Sequence, residues 1–74
     1  MLDMVTMKEI DEIFKVTDAM GIHREAITIP LAPASPGRVR RLPSGKIEIV
    51  VEAVQPFEEW VKVLPGLIRT AVGP

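Results

Sequence analysis

Pro43-Ser44-Gly45, set between two runs of alternating side chains, leaves this stretch of chain little alternative to a β-hairpin. Proline suits the first corner of a type I turn, and glycine supplies the left-handed residue that closes a three-residue bulged loop. The loop sets the register: Leu42 faces Lys46, Arg40 faces Glu48, and Val39 faces Ile49. Because side chains alternate along a strand, Val39, Ile47, Ile49 and Val51 then share one face and the Arg40–Glu48 pair the other. Arg41 falls on the apolar face and must reach the sheet edge or a partner with its head group. Glu48 and Glu52 fall on the face expected to meet solvent.

Helical periodicity brackets this hairpin. Thr6, with Glu9 three residues on, forms a T-x-x-E capping box. Met7, Ile10, Ile13, Phe14 and Thr17 recur at three- and four-residue spacing, which predicts a helix over 7–20. Gly21 stands where a left-handed C′ residue belongs, with Ile22 as its apolar companion. Residues 1–5 precede the cap and are expected to be disordered. At the other end, Pro56 suits the first helical position, and Glu58 and Glu59 favour the positive end of the helix dipole. From there Phe57, Trp60, Val61, Leu64, Leu67, Ile68 and Ala71 run as one stripe, predicting a helix over 56–72. Pro65 removes a donor inside it, so a kink or a split into two short helices is expected.

Between the first helix and the hairpin, residues 26–31 read as a short extended segment, and Pro30 suits an edge position. Prolines 30, 33 and 36 then predict a stiff connector. Its Pro33-x-x-Pro36-x-Arg38 pattern matches a ligand type read by SH3-like grooves, but the connector role accounts for it without a partner. The fold class is therefore α+β: a single domain over 1–74 in which an antiparallel hairpin, with a third edge strand, is covered on one face by two helices, in the order α-β-β-β-α.

Composition narrows the chemistry. With no cysteine among 74 residues, disulfides, thiolate catalysis and cysteine zinc sites are excluded. A single histidine, His23, excludes a multi-histidine metal site within one protomer. It follows a helix end, beside Arg24 and Glu25, with no nucleophile near it in sequence, and reads as a capping residue. Asp11-Glu12 and Glu58-Glu59 are sequence neighbours about 100° apart around a helix and cannot face one substrate atom. Ser44-Gly45-Lys46 lacks the first glycine and the terminal hydroxyl of a phosphate loop. No catalytic, metal or cofactor residue is therefore assigned. No stretch has the length of a membrane span, and the first residues lack the basic and apolar regions of a secretory signal, so a cytoplasmic location is expected.

Two surfaces remain. The chain carries nine basic and ten acidic residues, yet residues 24–46 hold a net charge of +4 and the remainder −5. A basic hairpin carrying Arg38, Arg40, Arg41 and Lys46 is the form in which a β-ribbon enters a nucleic-acid groove. Charged edge strands also simply deter aggregation. The stripe of Phe57, Trp60, Leu64, Leu67 and Ile68 exceeds what so small a sheet needs. The leading expectation is a non-catalytic interaction module that self-associates through this stripe, a dimer above all, with another protein as an alternative partner. Nucleic-acid binding through the hairpin is the second expectation.

Overall fold

The computed structural model describes residues 2–73. Helix α1 (Met7–Ala19) is followed by a 3₁₀ turn (Arg24–Ala26), strands β1 (Ile27–Thr28), β2 (Arg38–Arg41) and β3 (Ile47–Val50), and helix α2 (Phe57–Val72). This is the α-β-β-β-α order of an α+β fold.

Local chemistry at the helix ends follows the expected pattern. The Glu9 carboxylate accepts from the Thr6 amide at 2.8 Å and the Thr6 hydroxyl at 2.7 Å. That contact holds the Glu9 carboxyl below its ordinary pKa, the Thr6 hydroxyl bond contributing most. Val5, just before the cap, and Ile10, in the first turn after it, both join the core, so the chain enters the helix at a fixed angle. At the far end Ile22 donates to the Thr17 carbonyl and Gly21 to that of Asp18, with Gly21 at φ +77°. These are the two bonds of a Schellman motif. Met7 departs from expectation: it is 65 % exposed, and the buried stripe of α1 consists of Glu9, Ile13 and Thr17.

Residues 2–5 are docked rather than disordered. The Leu2 amide donates to the Ala53 carbonyl at 2.8 Å, the Val5 amide to Leu31 at 2.9 Å, and Val5 is buried. Two backbone bonds and one core side chain tie down a segment that periodicity could not see. Residue 1 lies outside the described residues.

β2 and β3 pair antiparallel in the expected register, with Arg38 opposite Val50, Val39 opposite Ile49, Arg40 opposite Glu48, and Arg41 opposite Ile47. The Leu42 amide donates to the Lys46 carbonyl, the Gly45 amide to that of Leu42, and Gly45 sits at φ +91°. Open space surrounds the Cβ position at Gly45, so only the backbone opposes substitution there. Gly45→Ala should cost about 1 kcal/mol in a chemical-denaturation experiment. An unchanged midpoint would show that the loop does not depend on its left-handed residue.

The third strand is an edge strand, but it runs parallel to β3, which lies at the centre of the order β1-β3-β2. The segment after Thr28 therefore crosses the end of the sheet before returning as β2. Pro30 has no amide hydrogen to continue the pairing. The crossing segment touches the central strand's extension once more, where Ala34 bridges Glu52 in parallel. Ala34, Ser35 and Gly37 thus tie this segment to the end of the sheet, Ser35 and Gly37 through the Glu52 side chain, in keeping with its role as a connector.

The core lies between the sheet and the helices and comprises Val5, Ile13, Ile47, Ile49, Val51, Trp60, Leu64 and Ile68. α2 remains one continuous helix through Pro65. An interior proline costs roughly 3 kcal/mol, whereas each large apolar side chain buried from water contributes about 1.5–3 kcal/mol. Trp60 and Leu64 before the proline, and Ile68 after it, all reach the core. Their combined burial outweighs the lost bond and prevents the split. Pro56 serves as the N-cap rather than the first helical residue.

Candidate interaction surfaces

The hairpin does not present its four cations as one surface. Alternation places Arg38, Arg40 and Lys46 on the sheet face away from the core, and Arg41 with Val39 on the other. Arg40 is also engaged: its Nε donates to Glu48 at 2.7 Å across the strand pair. Arg24, the fifth cation of the basic segment, binds the Asp18 carboxylate at 2.8 Å and lies 4.7 Å from the centre of the Phe14 ring. The Arg24 hydrogen bond holds the Asp18 carboxyl below its usual range, and Asp18 in turn raises the guanidinium. Arg38, Arg41 and Lys46 make no ion pair among the described residues.

The α2 stripe divides in the same way. Trp60, Leu64 and Ile68 are core residues, with Leu64 and Ile68 at 0 % exposure. None of the three can meet another chain while this one stays folded. Phe57 and Leu67 are half-buried, on opposite flanks of that core line. On the Phe57 flank a shallow groove runs between the helices, floored by Val16, Met20, Val61 and Pro65. Its rim mixes signs, with Lys8, Lys15, Lys62 and Arg69 beside Glu12 and Glu58. The ion pairs Lys15–Glu12 and Lys62–Glu59 lie along these helices, both exposed.

Glu52 was expected at the solvent face and is instead 3 % exposed. Its carboxylate accepts from the Ser35 hydroxyl at 2.7 Å, the Gly37 amide at 2.8 Å, the Val54 amide at 3.1 Å and the Gln55 amide at 3.4 Å. The Gly37 amide is the largest of the causes that hold this carboxyl at about 2. All four donors come from the protein itself, so the carboxylate is saturated and acts as a brace rather than as an acid or base. Sequence spacing carries no sign of it, because Ser35 and Gly37 are 17 and 15 residues away.

His23 is exposed and its carbonyl accepts from the Ala26 amide, opening the 3₁₀ turn. Among the described residues, no three His, Asp or Glu side chains gather as metal ligands. No described helix is long and apolar enough to cross a membrane. Comparison with protein-family models, curated proteins and solved structures found no significant match.

Proposed function

We propose that this chain is a small non-catalytic interaction module that pairs with a second copy of itself across the outer side of α1 and α2. The observation that carries the reading is the groove between the helices, with Val16, Met20, Val61 and Pro65 along its floor and both signs of charge on its rim. A two-fold contact places the same patch on both partners, so a self-complementary patch needs apolar residues at its centre and both signs around them. A chain of 74 residues without disulfides gains from such a contact, because its own core is small. The stripe residues that serve this interface are Phe57 and its neighbour Val61; Trp60, Leu64 and Ile68 support it from beneath.

Sedimentation equilibrium at micromolar protein should give twice the chain mass. Val61→Glu, on the groove floor, should shift the species to a monomer that still melts cooperatively. A wild-type chain that stays monomeric at tens of micromolar would end this reading.

A further inference from the structure

We propose that the free edge of β2 takes up an extended acidic segment of another protein as a fourth strand. The edge is open: among the described residues β2 has β3 as its single strand neighbour, and Arg38, Arg40 and Arg41 are all exposed. The Leu42–Lys46 bond marks that pair as a hydrogen-bonded one. Antiparallel ladders alternate, so Arg40 and Arg38 also bond inward to β3, while the amides and carbonyls of Val39 and Arg41 point away from the sheet. Outside the strand ladder, no backbone bond among the described residues uses those groups. Two donors and two acceptors in register are the template on which a strand adds.

Charge selects the occupant. A second copy is disfavoured, because two β2 edges would bring Arg38, Arg40 and Arg41 against their own counterparts. A nucleic acid has no peptide ladder to offer, and of the unpaired cations Arg41 lies on the face opposite Arg38 and Lys46, so no one groove wall meets all three. An acidic strand meets each requirement. Arg38 and Arg41 are three residues apart, one per face, so the matching partner carries two carboxylates three residues apart, with small or apolar residues between them. The charges that keep like edges apart thus also define which edge is admitted.

The probe is an acetylated, amidated hexapeptide, Thr-Glu-Val-Thr-Glu-Val, titrated into ¹⁵N-labelled protein. Amide shifts and slowed hydrogen exchange should centre on Val39 and Arg41. Arg38→Gln and Arg41→Gln should each weaken binding by up to about fivefold, the range of exposed charge pairs. Both residues are exposed, so the variants should fold, and an unchanged thermal melt checks this. N-methylation of alternate peptide amides should abolish binding by removing the ladder. Equal binding of the N-methylated peptide or of its lysine counterpart would overturn the proposal. So would shifts centred away from β2, or no binding at millimolar peptide. A single-stranded oligothymidylate that binds where the peptide does not would replace it with a nucleic-acid role for the hairpin.

Discussion

Replacing Glu52 by glutamine is expected to lower the thermal midpoint at neutral pH by on the order of 10 °C, a large shift for a domain of this size. The four groups that face the carboxylate are all donors, from Ser35, Gly37, Val54 and Gln55. An amide of the same shape must turn its own NH₂ toward some of them, leaving part-buried donors unsatisfied. The loss should depend on pH with a defined sign. The folded carboxyl titrates at about 2 against an ordinary 4.5, so the charged form is the one that folding favours. Its contribution is complete above about 4.5 and fades as pH falls toward 2. Glu9 and Asp18 are held low as well, by Thr6 and by Arg24, and add acid sensitivity of the same sign to the wild type. The difference between wild type and E52Q isolates Glu52: wide at pH 6–7, it should close toward pH 2. A gap that stays constant across this range would show that the carboxylate's charge is not what the brace uses.

The second large effect is expected at Gly37. A Cβ there would lie 2.7 Å from the Glu52 amide nitrogen, 2.9 Å from its Cα and 2.8 Å from the Trp60 indole nitrogen. Two of those atoms belong to backbone beside the central strand and have little room to give. Gly37→Ala should therefore cost about 1–3 kcal/mol, as overpacking a filled interior does, and should loosen the Gly37–Glu52 bond with it. Gly66→Ala is the internal contrast. Nothing lies near its Cβ position, and it sits inside α2, so alanine there should stabilise by about 0.5–1 kcal/mol. Urea midpoints of the two variants should move in opposite directions. If both rise, the close approach of residue 37 to the sheet is not a constraint.

What was legible in the sequence was local. The hairpin register, the Arg40–Glu48 pair, the capping box at Thr6 and the Schellman turn at Gly21 each depend on residues within about ten positions, and each follows from turn chemistry and alternation. Glu52 was not legible, because its partners arrive from the crossing segment at long sequence separation, and a strand carboxylate ordinarily faces water. The direction of β1 was not legible either, since an extended segment of two or three residues carries no mark of parallel or antiparallel pairing. The helix stripe was legible only as a stripe. Periodicity identified Trp60, Leu64 and Ile68 as apolar neighbours, but not that this chain's own sheet covers them. Beside that buried line, Val61 and Pro65 border a groove with Val16 and Met20. That junction depends on how α1 lies against α2, which neither helix encodes alone.

The parallel pairing of β1 with β3 spans only Ile27 and Thr28, and this shortness bears on how the protein fails. Ile47-Glu48-Ile49-Val50-Val51 is rich in β-branched residues, lacks proline and carries a single charge, the kind of segment that seeds cross-β stacking when its edges are bare. One flank is closed by a strand bearing three arginines. The other is closed by two residues of β1 and, beyond Val51, by the Ala34 bridge to Glu52. Partial opening at β1 would uncover the inner strand while the hairpin stays intact, and the exposed edge would carry a single charge, Glu48. Resistance to aggregation in this protein is therefore expected to depend on how long two residues of strand and one buried carboxylate keep that flank shut.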